Sequence, residues 1–198
     1  MKVLACSDVH ASAKAMKELQ KKAKFVDLII CCGDFTVFGN GILQLLKMFQ
    51  SFPKQVLLIQ GNHEDHLDLE KICKAFPNIL YLHNKAIIID NYFFFGNSGN
   101  GFTHVDEIFE QEIKKVIPYL KKYKDYKKVL LTHAPPYGTK ADLIIDRHCG
   151  NKSIKNFIIE QKIDFHFCGH IHEGAKTITE VHKTKVINSG PYGMIVNI

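Results

Sequence analysis

An α/β layered fold is predicted by three features of this 198-residue chain. In the first half, apolar β-rich runs alternate with segments whose apolar residues recur at helical spacing. Those runs are continuously apolar, the pattern of strands buried on both faces, paired in parallel and covered by helices. Carboxylates, histidines and one amide follow directly on several of the runs, so a sheet could carry them all to one edge.

The elements read in order as follows. Val3 to Cys6 is the first strand, and Ser12 can cap a helix with Met16, Leu19 and Ala23 on one face. Asp27 to Cys32 is the second strand. Ile42, Leu45, Leu46 and Phe49 mark the next helix, and Pro53 breaks it before a strand over Gln55 to Gln60. Leu69, Ile72, Cys73 and Phe76 repeat the helical spacing. After Pro77 the pattern changes: Ala86 to Ile89 and Tyr92 to Phe95 flank Asp90-Asn91 as a hairpin, its three consecutive phenylalanines reading as core. Gly96 to Gly101 reads as a loop. A helix from Asp106 turns Ile113, Val116, Ile117 and Leu120 inward, and Pro118 should kink or divide it. Strands follow at Val129 to Thr132, Phe165 to Cys168, Lys176 to Thr179 and Val186 to Asn188, with a helix around Ile154, Phe157 and Ile158 between the first two.

At 46% hydrophobic and 23% charged residues, the chain has room for one buried core, and a single domain over residues 1–198 is expected. No export leader is expected at the N-terminus, and no apolar run approaches the roughly 20 residues of a bilayer helix. Six cysteines lack both a disulfide framework and the C-x-x-C spacing of a zinc site; they read as buried thiols in a reducing compartment, which places the chain in the cytoplasm. The net charge of +6 favours anionic substrates in general. Lys114, Lys115, Lys121, Lys122, Lys124, Lys127 and Lys128 could track a nucleic-acid backbone, but a solvated helix face is the preferred reading.

The chemistry resides in five clusters: Asp8-Val9-His10, Gly33-Asp34, Gly61-Asn62-His63-Glu64, Thr132-His133 and Gly169-His170-Ile171-His172. Hydrolysis of a phosphate ester needs an activated water and a receptor for phosphate charge, and two cations about 3.5 to 4 Å apart supply both. A shared anionic ligand must hold them that close. Asp34 is the candidate, on a tight turn where Gly33 permits an unusual backbone angle. Asp8 and His10 alternate around Val9, and His170 and His172 around Ile171, so persisting strand geometry would turn each pair to one side. His63-Glu64-Asp65-His66 lacks the four-residue histidine spacing of H-E-x-x-H, and Gly96 to Gly101 lacks the Lys and Ser/Thr of a P-loop.

The ordered series D-x-H, G-D, G-N-H-E, a lone His and G-H-x-H resembles the signature of calcineurin-like metallophosphoesterases, from Asp8 to His172. That resemblance implies a four-layer αββα sandwich with two mixed β-sheets. It implies that Asp8, His10 and His172 bind one divalent metal, that Asn62, His133 and His170 bind the other, and that Asp34 bridges them. It also implies that His63 contacts the phosphate and stabilises or protonates the leaving oxygen, while a metal-bridging hydroxide attacks in line. Nitrogen and oxygen donors without thiolate suit Mn, Fe, Zn, Ni or Co, with manganese the first choice.

Thr132 to Gly138, Asp142, His148, Gly150-Asn151 and Gly169 to Glu173 further resemble the small metallophosphoesterases that include the MPPED-type proteins. The expected substrate is therefore a small phosphodiester, a cyclic nucleotide among the candidates, with Asn62, His63 and His148 as candidate substrate contacts. A phosphomonoesterase is the nearest alternative, followed by a nuclease and a protein-binding scaffold. His66, His83, His104, His166 and His182 fall in no pattern.

Overall fold

The computed structural model describes residues 1–98 and 101–198; Gly99 and Asn100, part of the expected Gly96–Gly101 loop, lie outside the described residues. The first half contains β1 (Lys2–Cys6), α1 (Ala13–Lys22), β2 (Leu28–Cys32), α2 (Ile42–Gln50), β3 (Val56–Ile59), α3 (Leu69–Cys73), β4 (Ile79–Tyr81), β5 (Lys85–Ile89) and β6 (Tyr92–Gly96). The second contains α4 (Glu107–Ile113), α5 (Ile117–Lys122), β7 (Lys127–Leu131), β8 (Leu143–Ile144), β9 (Arg147–His148), α6 (Lys152–Gln161), β10 (Phe165–Cys168), β11 (Thr177–Val181), β12 (Thr184–Asn188) and β13 (Met194–Asn197).

Two mixed sheets form the centre. One has the order β13-β1-β2-β3-β4, parallel except where β13 runs antiparallel against β1. The other has the order β11-β12-β10-β7-β6-β5, with β12, β10, β7 and β6 parallel and antiparallel strands at both edges. The strand period of two divides the side chains between layers. Leu4, Cys6, Ile29, Cys31 and Leu58 face α1, α2 and α3, whereas Val3, Ala5, Ile30, Cys32 and Leu57 meet Phe94, Leu131, Phe167 and Ile187 of the second sheet. Leu130, Cys168, Phe93 and Phe95 turn outward to Phe109, Leu120 and Phe157 of α4, α5 and α6. The result is the αββα layering, and the neighbours Cys31 and Cys32 face opposite layers. Each fully buried aliphatic or aromatic side chain contributes roughly 1.5–3 kcal/mol to holding the layers together.

Local chemistry sets the element ends. Ser12 Oγ accepts from Ala15 N and starts α1, Asp68 and Asp106 cap α3 and α4 in the same way, and Asn151 caps α6. The helix expected from Asp106 is divided: α4 stops at Ile113 and α5 starts at Ile117, with Pro118 in its first turn, where a missing N–H leaves no bond unmade. β4, β13 and the two-residue hairpin of β8 and β9 were not among the expected strands. They are short, and their pairing partners lie far away in sequence or, for the hairpin, across an exposed turn. All six thiols are free, and all but Cys149 are buried.

Candidate metal centre

The C-terminal ends of β1, β2 and β3 in one sheet and of β7 and β10 in the other deliver the five clusters to one edge of the sandwich. Close approach of these loops depends on glycine. A Cβ on Gly33, whose φ is +87°, would lie 2.3 Å from Gly61 N, and one on Gly169 would lie 2.4 Å from the Ser7 side chain and 2.6 Å from Asp8 Oδ2. The two sheets are stitched there by His133 Nδ1, which donates to the Cys32 carbonyl at 2.7 Å, and by His170 N–H, which donates to both Asp8 oxygens at 3.0 and 3.1 Å.

Strand geometry does not persist through the ligand pairs, contrary to expectation. Asp8, His10 and His170 adopt left-handed backbone angles, φ 55°, 44° and 67°, and His172 opens a short 3₁₀ turn. The side chains converge because the chain leaves each strand in a tight turn held by bonds such as His10 N–H to the Asp34 carbonyl, not because they alternate along it.

The residues expected as ligands nevertheless come close together. Asp8, His10 and His172 form one group whose donor atoms lie within 4.8 Å of one another, and Asp34, His133 and His170 form a second. His10, Asp34 and His63 meet the same condition. Asn62 joins the second group, its Oδ1 3.2 Å from His133 Nε2. Asp34 therefore adjoins both groups.

The proton positions are set by neighbours. Because His133 Nδ1 donates to a carbonyl, its Nε2 is the atom turned to Asp34 Oδ2 at 3.3 Å, Asn62 Oδ1 at 3.2 Å and His170 Nδ1 at 3.2 Å, and it carries a proton shared with Asp34 that a cation would displace. Likewise His10 Nδ1 faces the Thr36 carbonyl, which leaves Nε2 opposite His172 Nε2 at 3.2 Å. Burial works against ionisation of Asp34, but the His133 bond and charge, then the His63 N–H, hold the carboxyl down at about 2. Burial likewise opposes a proton on His133, and Asp34 outweighs it, lifting the imidazole to about 9. Burial, reinforced by the charge on His133, pushes His170 down to about 4.

This donor set fits divalent cations. Carboxylate, amide and imidazole atoms that can each offer a lone pair converge here, and metal–nitrogen bonds of about 2.0–2.1 Å place two ligand atoms on one ion roughly 3 Å apart, near the spacings found. The donors are imidazole, carboxylate and amide without thiolate, as Mn, Fe, Co, Ni or Zn sites require.

His63 donates its backbone N–H to Asp34 Oδ1 at 2.9 Å, and its Nε2 lies 3.9 Å from Asp34 Oδ2. His148 is not among the residues lining the cleft over the ligands; its Nδ1 bonds the buried Asp142 at 2.9 Å. Two contributors escaped the sequence reading. Glu64, fully buried, accepts from Asp34 N, Thr36 N, Thr36 Oγ1 and Gly61 N, knotting the Asp34 turn to the Asn62 turn. Its place within the G-N-H-E block was the available signal. Phe102, 66% exposed, packs on His170 with ring centroids 4.3 Å apart, and nothing in the sequence singles it out.

Comparisons with known proteins agree with this fold. An uncharacterized protein of Methanocaldococcus jannaschii is 33% identical over 99% of this chain and 91% of its own length. A solved structure from Thermus thermophilus superposes with a TM-score of 0.76 at 14% identity, covering 96% of this chain and 88% of that one. A dimetal phosphatase from Danio rerio gives a TM-score of 0.72 at 11% identity, covering 97% and 88%. The sequence model for calcineurin-like phosphoesterases matches residues 1–174. That match spans all five turns and the strands β1, β2, β3, β7 and β10 that lead into them, so the chain belongs to the calcineurin-like phosphoesterase family, a family of metal-dependent hydrolases of phosphate esters.

Proposed function

We propose that this chain hydrolyses a small phosphodiester, with a cyclic nucleotide the first substrate and manganese the first metal to try. The observation that supports a diester is the meeting of two clefts at Asn62 and Phe102, one of about 300 Å³ over the ligand groups and one of about 430 Å³ beside α4. A diester carries an organic group on each side of phosphorus, and paired clefts give each a place. Asp65, Asp106 and Glu112 line the larger cleft, which favours an uncharged alcohol group such as a nucleoside over one bearing further phosphates. All six thiols are free, so we place its work in a reducing compartment, the cytoplasm.

Two bound divalent cations would supply neutralisation of phosphate charge and a lowered pKa for water. The chain does the rest. Asp8, His10 and His172 would hold one cation, Asn62, His133 and His170 would hold the other, and Asp34, ionised at any working pH, would be shared between them. Asn62 turns its oxygen to the ligand group and keeps its amide hydrogens for a phosphate oxygen. His63 directs Nε2 at the cluster, where a proton on that atom stabilises charge on the leaving oxygen.

The test is reconstitution of metal-free protein with single divalent ions, followed by assay on bis(p-nitrophenyl) phosphate and p-nitrophenyl phosphate. Faster metal-dependent turnover of the diester supports the proposal. Preference for the monoester replaces it with a phosphomonoesterase, and no turnover of either leaves a protein-binding scaffold.

A further inference from the structure

Phe38 is 66% exposed, yet its backbone lies in the left-handed region at φ 48°. A bulky side chain there is strained and persists only where its surroundings over-determine it. Burial is no compensation for a ring that faces solvent. Two contacts show what the position achieves. The phenyl ring stacks on the His63 imidazole, centroids 4.2 Å apart and planes 22° apart. The backbone N–H of the same residue donates to His63 Nδ1 at 3.2 Å.

An amide N–H only donates, so Nδ1 of the neutral ring is the lone-pair nitrogen and Nε2 carries the hydrogen. Nε2 is the atom that faces the ligand cluster. His10 meets the ring edge-on with centroids 4.6 Å apart, so the imidazole is held by Phe38 and His10 together.

The turn that presents Phe38 shares its anchor with the histidine. Asn40 N–H closes the turn on the Val37 carbonyl at 3.0 Å, and Gly39 N–H donates to Thr36 Oγ1 at 3.0 Å. Thr36 in turn bonds Glu64, the residue that follows His63. Movement of the turn relative to His63 would have to break that buried carboxylate's bonds.

We infer that Phe38 is a positioning residue: its ring and its amide together fix the rotamer and the tautomer in which His63 offers Nε2–H to the substrate phosphate. This rests on the role proposed above for His63. Because Phe38 is exposed, Phe38→Ala removes the stacking without emptying a core. Phe38→Gly also relieves the backbone and frees the turn, and Phe38→Tyr restores the ring.

The experiment measures kcat, KM and metal content for these three variants and for Phe38→Ala in a His63→Ala background, using metal-loaded protein and bis(p-nitrophenyl) phosphate. Phe38→Ala is expected to lower kcat roughly threefold to tenfold, the fold-change equivalent to one aromatic pair, with KM and metal content unchanged. Phe38→Gly should lose more and Phe38→Tyr little. In the His63→Ala background Phe38→Ala should cost nothing further. Nitrogen-15 spectra of the zinc-loaded protein should show His63 as the Nε2–H tautomer, with the second tautomer appearing in Phe38→Gly. Equal losses in both backgrounds, a change in KM alone, or an unaltered Phe38→Ala enzyme would overturn the inference while leaving the His63 role standing. An unaltered His63→Ala enzyme would overturn both.

Discussion

The two halves of the ligand cluster are built from similar donors but are supported differently. His133 is fully buried, its ring fixed by the Cys32 carbonyl, and Asp34 hangs from a turn whose amide is bound by buried Glu64. On the other side, the His172 side chain is 62% exposed, and among the described residues its polar contacts are to members of its own group, His10 at 3.2 Å and Asp8 at 3.7 Å. A ligand held by an outer hydrogen bond is pre-organised, whereas a free ring must lose rotamer freedom when the cation arrives. The inner position, at Asn62, His133 and His170, should therefore fill first and empty last.

The largest effect expected is from Asp34→Asn. It removes the carboxylate proposed to be shared by both positions, and turnover should fall by about a thousandfold or more, since two-metal charge stabilisation is worth several kcal/mol. Elemental analysis should show fewer than two bound ions. Retention of both would mean that Asp34 does not bridge.

His172→Ala bears directly on the contrast between the halves. Outer-sphere partners cost roughly 10- to 100-fold in metal affinity when lost, and removal of a ligand should weaken the outer position by at least that factor. Calorimetric titration should still show one tight ion, and the exposed site should leave thermal stability unchanged. His133→Ala should instead lose the tight ion. If a chelator strips both ions from the wild type together, the two halves are not distinct.

How much of this was legible in sequence follows the same inner and outer logic. Asp8, Asp34, Asn62, His133 and His170 stand just past apolar strands, and burial of those strands on both faces is what periodicity detects. The left-handed angles at Asp8, His10 and His170 were not legible, because they arise from bonds between turns far apart in sequence, such as His10 N–H to the Asp34 carbonyl. Glu64 was visible as a residue but not as a knot, since its partners Asp34 and Thr36 are brought to it only by pairing of β2 with β3. Phe38 and Phe102, both exposed, carry no periodic signal at all.

A smaller effect should appear beneath the inner half on acidification. His166 is fully buried and shares the Thr132 hydroxyl, next to His133; burial drives its imidazole down to about 3. The unfolded chain takes up a proton near pH 6.5 and the folded one does not until about pH 3, so stability from this group is intact above the first value and falls as pH drops between the two. From about pH 7 to pH 5 the loss should be roughly 2 kcal/mol. Urea unfolding of metal-free protein should show it, and His166→Gln should remove that share. An identical slope in the variant would mean that His166 is protonated in the folded state.

The smallest effect is expected at His148, where the sequence suggested a phosphate contact. Its ring is turned to Asp142 Oδ1, and Asp142 also accepts from Gly138, Thr139 and Gly150 amides. Loss of one donor among several at a buried carboxylate costs about 1 kcal/mol, and the His148 side chain is 36% exposed, which softens even that. His148→Ala should therefore lower stability slightly and leave KM within about twofold, as a ring bonded to Asp142 and absent from the cleft lining would. A larger rise in KM would show that the β8–β9 hairpin swings His148 over the substrate. In that case the outer half would close on its ligand while the inner half stays fixed, and the contrast between them would extend from metal to substrate.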